Sequence, residues 1–461
     1  MPEPAPTTAP ATTASPTATA SRNAPTPATP AVPRVPPGPR HGSWLHGLAF
    51  AADRRAVTRR MRRRYGPAFT LRLPAWGPTA FLTEPALVKQ LFTTSPELIG
   101  NMDPNLGRVL GPASFFNLDG DAHKRQRKLL LPPFHGRRVQ SYAGIIEEET
   151  RRETASWPEN EAFPTLEPMM HITLNVILRA VFGAQGEEFE ELRRLLPPMV
   201  TLGSRLTTLP GPELDLGRLS PWGRFRGYRR TFDAIVDRLI AAAHADPHLD
   251  QRNDILALML QARYDDGSAM DARAVADQLL TLLSAGHETT ATTLAWAVER
   301  LRRHPLVLAR LAAEAQGQEA TLRKAAILEV QRTRPVIDIT GRRVTGESVA
   351  LGPWVLPRGH SIMVSISLIH DDDSVFPNAA AFDPDRFVGV NPDTYSWVPF
   401  GGGTRRCIGA AFAALEMDVV LRTVLRDFEV LSTGEPDERW RSRGVAWAPA
   451  GGGVARVRRR R

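Results

Sequence analysis

The hydrophobic positions along this chain recur mainly with the period of an α-helix. The longest such segment runs from Asp271 to Arg303, where Asp271 can cap the start and Pro305 follows the end. At about 1.5 Å per residue it forms a rod on the order of 50 Å, long enough to cross a whole domain. Further helices are predicted over residues 51–65, 84–93, 137–156, 169–182, 223–245 and 408–428.

Strand-like alternation is confined to short stretches, and the two ends of the chain differ from its middle. Residues 69–73 and 79–82 predict a short pair of strands. Residues 1–35 are mostly Ala, Thr and Pro, too poor in apolar surface to order themselves, and we expect a disordered tail. Residues 36–455 form the predicted domain, and residues 456–461 a basic, frayed tail.

Charge and cysteine usage narrow the class of protein. The formal charge is +9, but Lys occurs at only four positions and no nucleic-acid-binding motif accompanies the many Arg residues, so we expect no nucleic-acid partner. The N-terminal tail has no apolar run long enough for a signal peptide or a membrane span. A single cysteine excludes an intrachain disulfide and a cysteine-ligated iron–sulfur cluster, and it is compatible with a reducing cytoplasm.

That cysteine, Cys407, lies in the segment Phe400-Gly-Gly-Gly-Thr-Arg-Arg-Cys-Ile-Gly409, immediately before a predicted helix. Dense glycines permit unusual backbone angles and close approach of another group. A helix N-terminus and the flanking Arg405 and Arg406 favour a thiolate, which is the form that binds a haem iron. The alternative, taken from the residues alone, is an inert buried cysteine after a glycine turn.

The segment Ala285-Gly-His-Glu-Thr-Thr290 interrupts the longest predicted helix with residues that suit a helix interior poorly. Such a conflict indicates either a functional site or a tolerated packing contact. Two further pairs share a helix face: Glu329 with Arg332, and His123 with Arg127. Taken alone, neither pair is distinguishable from an ordinary surface pair.

Together these segments resemble the cytochrome P450 family. The family's haem-binding signature is F-x-x-G-x-R-x-C-x-G, and every fixed position is matched here by Phe400, Gly403, Arg405, Cys407 and Gly409. The family's [AG]-G-x-[DE]-T-[TS] motif is matched by Ala285, Gly286, Glu288, Thr289 and Thr290. The motifs occur in family order within residues 36–431, and they look most like those of soluble bacterial members.

The resemblance implies roles for these residues. Cys407 would ligate the iron, Thr289 would form hydrogen bonds in the oxygen-binding groove, and Glu288 would relay protons. Glu329 and Arg332 would form a buried structural triad with Arg386, which follows Asp385 where the family usually has Glu.

The resemblance also implies which residues hold the haem propionates, namely His123, Arg127, Arg405 and one Arg of the strand after the Glu329 helix. Arg342 and Arg343 both qualify for that last position, and adjacent strand residues face opposite ways. We favour Arg343 because of its spacing to Gly352 and Pro357.

The fold that the resemblance implies is a triangular, mainly α-helical prism with a small β-rich region and haem b between the long central helix and the cysteine loop. The implied activity is insertion of one atom of dioxygen into a hydrophobic organic substrate. Only 54 residues follow Cys407, too few for a flavin domain, so electrons from NAD(P)H are expected through a separate ferredoxin or flavodoxin and its reductase. We expect a cytoplasmic monomer without stable membrane insertion.

Two other functions stay open at this point, a haem-thiolate peroxygenase or isomerase and a non-catalytic haem or ligand-binding protein. The Glu288–Thr289 pair argues against an enzyme that does not activate dioxygen. The substrate is not readable, although residues 98–118 and 197–222 should line or cover the pocket. We also expect Arg300 and Arg302, at the end of the long helix, to tolerate replacement.

Overall fold

A computed structural model describes residues 32–39, 43–102, 106–183, 186–208 and 213–460. Most of the predicted N-terminal tail, residues 1–31, lies outside the described residues. Its last positions belong to the folded body instead, because Arg34 and Val355 exchange backbone hydrogen bonds of 3.0 and 2.8 Å. The compact unit accordingly begins at Pro33.

Helices dominate the described residues, as the periodicity predicts. The α-helices are α1 Ser43–Tyr65, α2 Pro85–Thr93, α3 Gly107–Leu110, α4 Gly120–Leu130, α5 Arg137–Ser141, α6 Ala143–Thr154, α7 Leu166–Phe182, α8 Glu187–Thr208, α9 Pro221–Ala245, α10 Ile255–Gln261, α11 Ala272–Leu301, α12 Pro305–Glu314, α13 Thr321–Thr333, α14 Ile366–His370 and α15 Ala410–Asp427. Helix α1 is interrupted at Asp53, whose backbone angles are not helical.

The strands are short and form four small sheets in the described residues. They are β1 Ala68–Leu73, β2 Gly77–Leu82, β3 Ile99–Gly100, β4 Ala162–Pro164, β5 Ile339–Val344, β6 Ser348–Leu351, β7 Trp354–Pro357, β8 Ser361–Ser365, β9 Phe428–Val430, β10 Trp440–Ser442, β11 Trp447–Pro449 and β12 Val454–Arg459. The largest sheet has the order β1-β2-β8-β5-β3, and only the β2–β8 pairing in it is parallel. The others are β4-β12-β9 and the hairpins β6-β7 and β10-β11.

The long helix α11 organises the main hydrophobic core. Asp271 caps it as predicted, accepting a hydrogen bond of 2.7 Å from the backbone N–H of Ala274. Helices α7, α13 and α15 pack against α11 from different directions, so most of its residues are buried. Because most of α11 is buried, its polar side chains in the middle of the helix do not serve as a solvent-facing surface and need another explanation.

The structure departs from several of the sequence-based elements. Helix α8 contains Pro197 and Pro198 and was not predicted as a helix. The predicted helix over residues 137–156 is two helices that meet at Tyr142. The predicted frayed tail from Arg456 is instead the strand β12, which pairs with β4 and β9 through residue 459. No helix among the described residues has the length and apolar character needed to cross a membrane.

Candidate active site

The cysteine loop is shaped by glycines that pack against α2. Gly401 and Gly403 have φ values of +63° and +65°, which L side chains rarely adopt. A Cβ at Gly402 would lie 2.1 Å from the ring of Phe92, and one at Gly403 would lie 2.6 Å from the Phe92 carbonyl oxygen. The loop therefore requires these glycines, and it delivers Cys407 to the start of α15, with the Cys407 N–H bonded to the Phe400 oxygen at 3.0 Å.

The Cys407 side chain is accessible although protein surrounds it. The residue is exposed and forms no disulfide, yet burial is the largest influence on its thiol and raises the pKa. The positive charges of Arg127 and Arg406 and a backbone hydrogen bond from Gly409 act in the opposite direction without outweighing burial. We call the accessible surface at Cys407 the recess.

Helix α11 has a matching accessible stretch in its middle. Ala285 is exposed and Thr289 partly exposed, whereas His287, Glu288 and Thr290 are buried. The Thr289 hydroxyl donates to the Ala285 carbonyl oxygen at 2.8 Å, a bond that competes with the helix ladder. Gly286, next to Ala285, packs against α7, where an added Cβ would be 3.3 Å from Ile177.

Glu288 is held by a residue that the sequence did not reveal. Its Oε1 accepts a hydrogen bond of 2.8 Å from Nε of Arg443, which comes from the β10–β11 hairpin. The neighbouring His287 uses its Nδ1 within the helix, where this atom lies 2.9 Å from the Leu283 carbonyl oxygen. Burial lowers the pKa of His287.

A cluster of cationic and imidazole groups lies beside the cysteine loop. His123 of α4, Arg342 of β5 and Arg405 line a small cavity of about 10 Å³. Burial, and then the charges of Arg405, Arg127 and Arg342, lower the pKa of His123 to about 4. Nε2 of His123 and Nη1 of Arg127 are buried without a hydrogen-bond partner among the described residues.

The two strand arginines lie on opposite faces of β5, and Arg342, not the favoured Arg343, lies in this cluster. Arg342 is buried, its guanidinium lies 5.7 Å from the Phe92 ring centroid, and it donates to the Gly402 carbonyl oxygen at 3.0 Å. Burial, with the charge of Arg405, lowers the pKa of Arg342 to about 10. Arg343 is exposed on the other face of β5 and lies outside the cluster.

The structure brings Glu329, Arg332 and Arg386 together. Glu329 and Arg332 have fully buried side chains and pair through two hydrogen bonds of 2.7 Å. Arg386 Nε lies 3.3 Å from a Glu329 oxygen. Asp385, the departure from the family pattern, is exposed and pairs with Arg310 at 2.7 Å, so the Glu-to-Asp difference does not touch the triad.

Comparison with known proteins decides the family. The family model described as Cytochrome P450 matches residues 33–454. The chain belongs to the cytochrome P450 family. It is therefore a haem-dependent enzyme of the monooxygenase type, and the recess at Cys407 is the place to test for the haem.

Relatives among curated and solved P450 proteins cover nearly the whole chain. Cytochrome P450 138 of Mycobacterium tuberculosis is 56% identical over 437 residues, which are 95% of this chain and 98% of the relative. Cytochrome P450 135B1 of the same organism is 39% identical over 432 residues, 92% of this chain and 91% of the relative. The cyanobacterial CYP120A1 with bound retinoic acid has the same fold, with a TM-score of 0.82 at 24% identity over 93% of this chain and all of that one.

The residues present fit a haem. His123 Nε2 and Arg127 Nη1 are buried polar atoms without a protein partner, and such atoms are rare unless a ligand or water satisfies them. Carboxylates are suitable partners because charge-assisted hydrogen bonds to them are strong. The accessible thiol of Cys407 would meet the remaining requirement, an iron ligand.

Sequence reasoning missed Arg443 and Asp119. Arg443 sits in a hairpin without a motif. Asp119 precedes α4, and its carboxylate pairs with Arg405 while accepting the Asn101 N–H at 2.8 Å. A negative charge four residues before His123 was visible in the sequence, but nothing there linked it to a loop nearly 290 residues away.

Proposed function

We propose that this P450 inserts one atom of dioxygen into a hydrophobic organic substrate, with haem b ligated by Cys407. The observation that carries the proposal is the accessible thiol in a desolvated recess, combined with an accessible stretch around Ala285 and Thr289 in the middle of a mostly buried helix. Electrons from NAD(P)H would arrive through separate partner proteins, and we further propose a cytoplasmic monomer.

Four side chains would hold the haem carboxylates in this proposal. Nε2 of His123 and Nη1 of Arg127 are buried and have no partner among the described residues, and Arg342 and Arg405 line the cavity beside His123. Arg342 replaces Arg343 in this set because of its burial. Once bound, haem supplies the activation of dioxygen, and the protein supplies the ligand, the proton path and the orientation of the substrate.

Glu288 and Thr289 would control protons at the site. The Thr289 hydroxyl donates to the Ala285 oxygen, which leaves its own oxygen free to accept a hydrogen bond from a group in the recess. Glu288, buried one residue earlier and held by Arg443, would pass protons towards that group. Proton donors of this kind contribute about 10²–10⁴-fold when correctly placed.

The protein partners would dock on the basic surface near the cysteine loop. Arg125 and Arg406 are exposed there, whereas Lys128 is exposed but pairs with Asp265 at 2.6 Å. Acidic ferredoxins or flavodoxins suit such a surface, because complementary charge speeds encounter. Raising the salt concentration should therefore slow electron transfer from the partner.

The ligation is tested with the purified, reduced protein under carbon monoxide. The red-shifted Soret band of a thiolate-ligated haem is expected, and it should vanish in Cys407→Ala. A Cys407→Ala variant that kept the band would overturn the assignment.

The substrate class is tested by spin-state titration of the haem spectrum with fatty acids, terpenoids, steroids, polyketides and retinoic acid. Turnover of a responding compound should depend on dioxygen and a reducing system. Turnover with peroxide alone would instead indicate a peroxygenase, and a protein without any turnover would be a binding protein.

A further inference from the structure

The ion pair between Glu288 and Arg443 joins the centre of the enzyme to its C-terminal hairpin. The Glu288 side chain is 8% exposed and that of Arg443 is 27% exposed. A carboxylate at this depth is stable in its charged form only when it is paired and hydrogen-bonded. The position of Arg443 therefore determines where the Glu288 carboxyl group points.

The turn that carries Arg443, residues 443–446, is fastened to α8 through Ser204. The Ser204 hydroxyl donates to the Arg443 carbonyl oxygen at 3.2 Å and accepts the Val445 N–H at 3.0 Å. Gly444 has a φ of +100°, and a Cβ there would lie 2.5 Å from the Ser204 hydroxyl oxygen. Only glycine lets the turn sit this close to α8.

A second contact holds the opposite side of the same turn. Arg54 of α1 donates to the Val445 carbonyl oxygen at 3.2 Å and pairs with the buried Asp338. The turn is thus clamped between α1 and α8, and its side chain Arg443 reaches Glu288 of α11. A displacement of α8 would move one side of this clamp and, with it, the backbone that carries Arg443.

We propose that Arg443 is a positioning residue for Glu288, and that Ser204 couples it to the seating of α8. The inference rests on the proposed proton-relay role of Glu288. The second half of α8, which contains Ser204, belongs to residues 197–222, the segment expected to line or cover the substrate pocket. In this proposal the Glu288 carboxyl group is correctly oriented only when α8 is seated. Proton delivery is thereby linked to closure of the pocket.

The test uses the full-length, haem-loaded protein with a surrogate ferredoxin, its reductase and NADPH, without substrate. The measured quantity is the share of electrons recovered as hydrogen peroxide. Arg443→Ala should raise that share about three-fold or more. Arg443→Lys should reverse at least half of this rise in the peroxide share. Arg441→Ala, on an exposed position of the same hairpin, is the control and should match the parent.

Ser204→Ala tests the coupling to α8. It should raise the peroxide share in the parent and add nothing in the Arg443→Ala background, because both changes act through the same contact. A full additional effect in that background would overturn the coupling. An unchanged or lowered peroxide share in Arg443→Ala would overturn the positioning role.

Two further measurements separate this inference from the proposed function. If Glu288→Gln leaves the peroxide share unchanged, the proton-relay role itself is refuted. If Glu288→Gln changes the peroxide share but Arg443→Ala does not, only the positioning role of Arg443 is refuted. Independently of turnover, thermal unfolding of Glu288→Gln, Arg443→Ala and the double variant should be non-additive by roughly 1–3 °C. Additive unfolding shifts would show that the two side chains do not interact in solution.

Discussion

Replacing Arg332 by Ala should remove the central connection of the haem-binding core. Its guanidinium makes five hydrogen bonds: two of 2.7 Å to the Glu329 carboxylate, and three of 2.8 Å to the carbonyl oxygens of His370, Ala379 and Ala381. The side chain is fully buried. The variant would leave a buried carboxylate with only Arg386 and the Asp383 N–H as partners.

Removing one member of a buried ion pair costs about 3–5 kcal/mol, because the other charge is left uncompensated. This is a large share of a typical stability of about 5–15 kcal/mol. With an unfolding entropy of about 2.1 cal/mol/K per residue, it corresponds to a fall in Tm of roughly 3–6 °C for a domain of this size. We also expect much of the variant protein to be insoluble or free of haem.

The chain offers a matched control in Glu190 and Arg193 of α8. This pair has the same residues at the same spacing, 3.0 Å apart, but both side chains are exposed, 57% and 39% respectively. Exposed pairs contribute about 0–1 kcal/mol, so Arg193→Ala should melt within about a degree of the parent. Differential scanning calorimetry and haem content measure both variants. Equal Tm values for Arg332→Ala and Arg193→Ala would refute the reasoning.

Three further predictions concern the site. Thr289→Ala should keep haem and divert severalfold more electrons to hydrogen peroxide, whereas Thr293→Ala, which loses a comparable hydroxyl bond one turn later at 2.9 Å, should not; equal diversion in the two would contradict this. Arg342→Ala should lower haem retention in a transfer assay, and Arg343→Ala should not. Burial and nearby Arg charges lower the pKa of His123 from 6.5 to about 4. Between these two pH values the unfolded chain therefore protonates at His123 while the folded protein does not. The haem-free protein should therefore lose stability as the pH falls from 6.5 to 4, and His123→Gln should flatten that slope in denaturation experiments.

The sequence was sufficient wherever a signal is local. The cap at Asp271 and the period of the following residues predict α11 to within two residues at its C-terminal end. Glycines around Cys407 predict a loop that needs positive φ, and Gly401 and Gly403 have it. Local features of this kind depend on residues a few positions away in the chain, so they can be predicted from the sequence alone.

The sequence was insufficient wherever a partner is distant. Arg300 and Arg302 were expected to tolerate replacement, but both are buried, and they pair with Asp437 and Glu435 from the C-terminal segment. Prolines 197 and 198 concealed α8, since proline within a helix is costly in isolation and packing has to offset it. The choice between Arg342 and Arg343 depends on which face of β5 meets the cysteine loop.

The polar atoms of Arg332 differ from those of His123 and Arg127 in the partners that the protein offers them. All five N–H donors of the Arg332 guanidinium bond to protein acceptors. Because none is left for a ligand, Arg332 stabilises the fold. His123 is buried and Arg127 partly buried, and each keeps one buried nitrogen without a hydrogen-bond partner among the described residues. Leaving a buried donor unpaired costs about 1–3 kcal/mol. A group from outside the chain that satisfies both would recover that energy, so the residues that weaken the empty protein are those expected to bind the haem most tightly.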